Sequence, residues 1–154
     1  MYIEGHRIVR LDPYDPISVS YGAKIGSEPA GREHPGMLKL QLLPGHDGTI
    51  VEPISRIGYM AGGKAAWWKD EEMTDTLTRN AVSFIERSAG HPFFLYFATN
   101  NIHQPRWPNP RFCGTRCDSI QEFDASVGAV LSALDRLQLT DKTSVIVSSI
   151  MAES

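Results

Sequence analysis

A histidine follows the most apolar stretch of this chain, in a segment that reads PFFLYFATNNIHQP from residue 92 to residue 105. An unbroken apolar and aromatic run over Phe93–Ala98 gives way to polar residues and then to His103. An imidazole gains and loses a proton near neutral pH, so it suits proton transfer. In open α/β sheets, ligands sit outside the carboxyl ends of the strands. The pattern therefore predicts a buried strand that delivers a candidate catalytic histidine.

Three more side chains are candidates for binding an anionic substrate, those of Lys64, His46 and Asn101. Lys64 follows two glycines, which allow the backbone to approach a ligand closely. His46 begins a His-Asp-Gly turn that either faces a pocket or lies on the surface. Asn101 either orients a substrate by hydrogen bonds or satisfies the backbone of a tight loop. All three are predicted substrate-binding residues, with these structural roles as the alternatives.

Aromatic and acidic residues between the two segments have two interpretations each. Trp67, Trp68 and Trp107 either stack on a sugar or aryl group or act as packing anchors. The acidic run Asp70-Glu71-Glu72 either binds a cation weakly or begins a helix, where acidic side chains complement the positive end of the helix dipole. The sequence favours packing and the helix start.

The composition excludes several classes of protein. The 154 residues carry a formal net charge of −3, with 42% hydrophobic and 21% charged residues, as in a globular domain. No block of lysines or arginines indicates a nucleic-acid partner. No run approaches the roughly 18 apolar residues of a membrane-spanning helix. The N-terminus lacks the apolar segment of a signal peptide. We therefore expect a cytoplasmic chain, or one whose true start lies upstream of Met1.

Two cysteines, Cys113 and Cys117, lie close together in the segment RFCGTRCD. A structural metal site needs about four ligands at known spacing, and no second pair of cysteines or histidines completes one. A disulfide across so short a loop is strained in many geometries. The sequence leaves two unpaired thiols and one strained disulfide as alternatives, and predicts no metal ligand.

Residues 1–70 and 71–149 differ in pattern. The first segment is rich in Gly, Pro and Ser, and is predicted to be irregular and loop-rich. Two short strands are predicted around a turn at Gly5-His6. The second segment is predicted to be a helix–strand–helix–strand core, in which Pro92 prevents the first helix from continuing.

Both predicted helices are amphipathic. The first covers residues 70–88, and its apolar stripe consists of Met73, Leu77, Ala81, Phe84 and Ile85. The second begins near Asp118, and its apolar face consists of Ile120, Phe123, Val127, Val130, Leu131, Leu134 and Leu137. A turn at residues 140–142 leads to a final strand over Thr143–Ser149. Apolar strands that alternate with helices are typical of an α/β fold with a parallel sheet covered by helices.

Three motifs, in this order, resemble the sulfatase domain of the formylglycine-dependent arylsulfatases, a family of the alkaline-phosphatase superfamily. They are His103-Gln104-Pro105 after an apolar strand, residues 124–128 with the sequence DASVG inside a helix, and the strand over residues 143–149. The segment GHDGTIVEPISRIGYMAGGKAAWW is similar to the bacterial branch of the family. The resemblance covers residues 2–149 and implies a partial alkaline-phosphatase-like α/β fold.

The resemblance implies a sulfuric ester hydrolase whose substrate is a small sulfate ester or a sulfated glycan. His103 would contact the sulfate and help to protonate the leaving oxygen. In the family, a formylglycine made from Cys or Ser in Cys/Ser-x-Pro-x-Arg attacks sulfur, and calcium stabilises the developing charge. Full-length relatives are often periplasmic or secreted, so the location of this chain is left open.

The sequence departs from the family pattern in two places. It contains no Cys/Ser-x-Pro-x-Arg motif, and Ile150-Met151 stand where the family has the Asp-Asn calcium ligands. Ile and Met offer no oxygen ligand to a hard cation. We expect an internal fragment of a sulfatase domain with a non-family tail at 150–154, inactive alone and without calcium or formylglycine of its own. The alternative is a non-catalytic remnant, or a module that binds a sulfated or anionic ligand.

Overall fold

The computed structural model describes residues 1–105, 107–112 and 118–148. They fall into two compact units. The first consists of residues 1–73 and 103–109, and the second of residues 74–102 and the chain from residue 110 onward. The chain therefore crosses between units directly before His103. Cys113 and Cys117 lie outside the described residues.

The described part of the first unit contains short strands in three antiparallel pairs. Their bounds are β1 Ile3–Glu4, β2 Arg7–Ile8, β3 Ser18–Ser20, β4 Ile50–Val51, β5 Ile54–Ser55 and β6 Tyr59–Ala61. β1 pairs with β2, β3 with β6, and β4 with β5. The predicted hairpin is confirmed, because Ile3 lies opposite Ile8 across the turn at Gly5-His6.

Part of the segment predicted to be irregular is held by distant partners. Val19 of β3 lies opposite Met60 of β6, and Ala30 forms an isolated bridge with Thr49. Elements this short carry no readable periodicity, because the alternation of apolar and polar residues needs at least four positions to show. Their pairing became visible only in the folded chain.

The apolar core of the first unit lies at the β4–β5 hairpin. Ile50, Val51 and Ile54 are all buried there. Gly48, just before β4, sits so close to the neighbouring chain that an added Cβ would lie 2.1 Å from the carbonyl oxygen of Gly58. Only glycine allows that approach of two backbone segments, which brings the chain around the hairpin into contact.

Two helices provide the regular structure of the second unit. α1 spans Met73–Ser88 and α2 spans Asp118–Arg136. A 3₁₀ turn over Asp70–Glu72 leads into α1, and a second one over Thr140–Lys142 follows α2. Both predicted helices and the predicted turn after the second are confirmed.

The predicted apolar face of α2 is only partly correct. Leu134 is buried as expected, whereas Ile120 and Leu131 are exposed. The buried positions of α2 instead include three polar residues at helical spacing, Ser119, Glu122 and Ser126. The reason lies on α1, where Thr74 bonds to Glu122 and Thr78 bonds to Ser126. We call Thr74, Thr78, Glu122 and Ser126 the polar seam.

The segments predicted to be parallel strands, 93–98 and 143–149, do not pair with other strands within the described residues. Alternate side chains from Phe93 onward are half-buried and those between them are exposed, which is the period of an extended chain. The ring of Phe93 packs edge-on against Phe84 of α1, with 5.8 Å between centroids. A strand is defined by a hydrogen-bonded neighbour. The predicted parallel pairing is therefore not met among these residues, and residue 149 lies outside them.

Candidate functional site

His103 is exposed on the loop that returns the chain to the first unit. Its Nδ1 lies 2.6 Å from the carbonyl oxygen of Gln104. Because a carbonyl oxygen only accepts, Nδ1 must carry the proton in this contact. Nε2 is then the nitrogen that exchanges a proton with a ligand, as an acceptor when the ring is neutral and a donor when it is doubly protonated.

Lys64 belongs to the same unit but already has anionic partners. Its Nζ lies 2.6 Å from Glu28 Oε1, and its backbone N–H donates to Asp15 Oδ2 over 2.9 Å. The hydrogen bond to Glu28 raises the pKa of Lys64 above its ordinary value, so the ammonium stays charged. An incoming sulfate would compete with Glu28 for this ammonium.

A cavity of about 320 Å³ in the first unit is lined by both His46 and Pro105, the last residue of the His-x-Pro motif. His46 Nδ1 donates to the carbonyl oxygen of Pro44 over 3.3 Å. Trp67 and Trp68 form part of the aromatic wall. His46, a predicted binding residue, and the loop that carries His103 thus both contribute to the wall of this cavity. Lys64 and His103 are not among its lining residues.

Arg56, a charged residue of the cavity wall, forms an ion pair that the sequence did not indicate. The Arg56 guanidinium donates to both carboxylate oxygens of Asp70, over 3.0 and 2.6 Å. It also donates to the carbonyl oxygen of Val51 and lies over the ring of Trp68, 5.7 Å from the centroid. The charge of Arg56 is therefore compensated by Asp70. Asp70, for which the sequence favours a place at a helix start over weak cation binding, also forms this ion pair.

Trp107 and Trp67 also have contacts within the protein. The ammonium of Lys39 lies 4.8 Å from the ring centroid of Trp107. The Nε1 of Trp67 donates to the carbonyl oxygen of Gly62 over 3.3 Å. These contacts fit the packing role of the tryptophans, and stacking on a sugar stays a prediction.

Asn101 lies in the second unit, in contact with the polar seam. Its Nδ2 donates to Glu122 Oε2 over 2.9 Å and lies 3.2 Å from Thr74 Oγ1. Sequence reasoning overlooked Glu122, because it assigned the buried face of α2 to the apolar residues alone. The signal that would have found it is the polar row Ser119, Glu122, Ser126 at helical spacing.

Among the residues that the structure describes, no group of three or more His, Cys, Asp or Glu side chains is arranged to hold a metal ion. Within that same part of the chain, no helix has the length and apolar character needed to cross a membrane.

Comparison with known proteins decides the family. Residues 27–149 match the protein-family profile described as Sulfatase. The chain belongs to the sulfatase family. This sulfatase chain is 46% identical over 154 residues to N-acetylgalactosamine-6-O-sulfatase of Bacteroides thetaiotaomicron, a match that covers 97% of the chain and 30% of that protein. The resemblance of the His-x-Pro and DASVG motifs to sulfatases is thereby confirmed.

More distant sulfatases match about half of the chain. Human N-acetylgalactosamine-6-sulfatase is 35% identical over 86 residues, covering 52% of this chain and 16% of that protein. Rat steryl-sulfatase is 33% identical over 82 residues, covering 50% of this chain and 14% of that protein. The sulfatase chain thus spans a minor part of the length of each relative.

A solved structure from work on glycosaminoglycan metabolism by Bacteroides thetaiotaomicron has the same fold over most of the chain. The TM-score is 0.85 at 49% identity, and the match covers 90% of this chain and 30% of that one. The predicted class, a partial α/β sulfatase fold, is confirmed.

Proposed function

We propose that this sulfatase chain contributes the leaving-group side of a site that hydrolyses a sulfate ester on an N-acetylgalactosamine unit of a sulfated glycan. The observation that supports the substrate class is the 46% identity, over 154 residues, to a relative named N-acetylgalactosamine-6-O-sulfatase. The human relative carries the same sugar and position in its name. The exposed imidazole of His103, next to the cavity residue Pro105, supports the role within the site.

The chemistry proposed for His103 is proton transfer at the ester oxygen. When the bond between sulfur and that oxygen breaks, the oxygen leaves as an alcohol and needs a proton. Because Nδ1–H is engaged by Gln104, His103 can supply this proton from Nε2 only while the ring is doubly protonated. His46 and Lys64 are proposed to bind the anionic part of the substrate, and for Lys64 the sulfate would replace Glu28 as partner.

The family's formylglycine nucleophile and calcium ion are not assigned to residues of this chain. The sequence contains no Cys/Ser-x-Pro-x-Arg, and among the described residues no cluster of ligands fits a metal ion. No step of the proposal therefore passes through either group. A nucleophile and its partners act as a unit, so the 154 residues on their own are proposed to be inactive.

The purified 154-residue chain is expected to release no sulfate from N-acetylgalactosamine 6-sulfate, measured as free sulfate by ion chromatography. The reason is that it presents a proton donor without a nucleophile. Sulfate release by the chain alone, absent from the His103→Ala variant, would show that these residues form a complete site.

A chimera tests whether His103 acts as a proton donor in a complete site. The aligned third of the Bacteroides thetaiotaomicron relative is replaced by this chain up to residue 148, and the chimera is expected to release sulfate. His103→Ala in the chimera is expected to lower kcat by about 10²–10⁴-fold, the usual contribution of a general acid. His91→Ala, at an exposed histidine beyond α1, is the matched control and should leave kcat unchanged. A chimera that binds the sulfated sugar saturably and releases no sulfate would favour the binding-module alternative.

A further inference from the structure

We propose that Glu122 is a positioning residue for His103, acting through Asn101. The proposal rests on the function proposed above for His103. Glu122 fixes the side chain of Asn101, and the backbone continues from Asn101 through Ile102 directly to His103. The contacts that carry it all lie in the second unit.

The carboxylate of Glu122 is buried and aimed at the loop. Glu122 is only 5% exposed. Oε2 accepts from Asn101 Nδ2 over 2.9 Å and from Thr74 Oγ1 over 3.0 Å. Two donors therefore converge on one carboxyl oxygen of Glu122, and one of them is the Asn101 side chain.

The orientation of the Asn101 amide follows from this carboxylate. If the amide were turned over, its oxygen would face the carboxylate oxygen of Glu122 at hydrogen-bond distance, and the two would repel each other. With the nitrogen towards Glu122, Asn101 Oδ1 is buried, and among the described residues it has no hydrogen-bond donor. A buried acceptor without a donor is costly. The hydrogen bond from Asn101 Nδ2 to Glu122 must offset that cost.

The anchored side chain lies immediately before a strained backbone position. Ile102 has a φ of +70°, a left-handed conformation that β-branched residues rarely adopt. Such a conformation persists only when the surrounding structure holds it. Asn101 is tied to α1 through Thr74 and to α2 through Glu122, so it is placed to hold this turn. The turn sets the direction in which the chain continues to His103.

The polar seam offers a way to separate positioning from helix packing. One turn along from the Glu122 contact, Thr78 Oγ1 lies 2.9 Å from Ser126 Oγ and 2.8 Å from the carbonyl oxygen of Thr74, and its single proton goes to one of the two. The contact with Ser126 joins α1 to α2 without touching the loop. A Thr78→Val variant therefore weakens the seam while leaving the Asn101–Glu122 pair in place, and serves as the matched control.

The test uses the 154-residue chain and three variants of the pair. Asn101→Asp places two carboxylates at hydrogen-bond distance, and Glu122→Gln removes the charge. The double variant, Asn101→Asp with Glu122→Gln, restores an amide–carboxylate pair with the roles exchanged. We expect both single variants to shift the NMR signals of the His103 imidazole and of the backbone amides 100–104. The double variant should return them towards their original positions, and Thr78→Val should leave them unchanged.

Two outcomes would overturn the proposal. One is that His103 signals in Glu122→Gln match those of the unchanged chain. The other is that the NMR signals of the double variant differ from those of the unchanged chain as much as the signals of Asn101→Asp do. If Asn101→Asp does not fold, Glu122→Gln takes its place in this comparison. These measurements contain no substrate, so an inactive chimera would refute the proposed function and leave this inference standing.

In an active chimera, positioning predicts a kinetic pattern that loss of stability does not. Asn101→Asp should lower kcat on the order of 100-fold, as expected for a displaced catalytic group, with KM unchanged, and the double variant should recover most of it. An unchanged kcat for Asn101→Asp would contradict the positioning role.

Discussion

Replacing Ile85 by alanine is expected to lower the free energy of unfolding of the second unit by about 2–5 kcal/mol. Ile85 is 1% exposed and is among the largest fully buried side chains of the described residues. It lies on the same face of α1 as Thr74 and Ala81, which are also buried. Truncation removes buried apolar surface and leaves a cavity that helices α1 and α2 can close only in part.

The measurement is urea unfolding, followed together with amide hydrogen exchange of α1 and α2, which reports on local opening of that unit. Ile120→Ala is the matched control, because Ile120 is 52% exposed on α2. A surface change of this kind is expected to stay within about 0.5 kcal/mol. Equal effects of the two variants would mean that Ile85 is not part of the core.

Removing the carboxylate of Asp70, by Asp70→Ala, is expected to lower the free energy of unfolding by about 3–5 kcal/mol. The side chains of Arg56 and Asp70 are only 18% and 8% exposed. Breaking one side of such a pair leaves a guanidinium in a place where water compensates it poorly. The two hydrogen bonds of the bidentate contact are lost with it.

A double variant distinguishes the lost pair from the stranded charge. Arg56→Met with Asp70→Ala removes both charges and is expected to lose less stability than Asp70→Ala alone, because no unpaired charge remains. Glu86→Gln is the control, since the Arg136–Glu86 pair is 57% and 44% exposed and such pairs contribute about 0–1 kcal/mol. Thermal unfolding of the four proteins gives the comparison. A double variant less stable than Asp70→Ala would show that Arg56 contributes chiefly through packing.

Local patterns in the sequence determined the elements that form from neighbouring residues. The two helices, the hairpin at Gly5-His6 and the turn after α2 were all predictable. The reason is that helical periodicity, acidic first turns and turn residues act within about one or two helical turns. The loop that presents His103 was predictable for a similar reason, because an apolar run changes abruptly into a polar one.

Only the tertiary structure decided which distant residues meet. β3 pairs with β6 across a gap of about forty residues, Asp70 compensates Arg56, and His46 shares a cavity with Pro105. Each contact depends on loop closure, on which local propensity carries no information. Glu122 is the clearest case. The sequence predicted the helix that carries it, and only the contacts of α2 with α1 and the loop show its carboxylate bonded to Thr74 and to Asn101, two residues before His103.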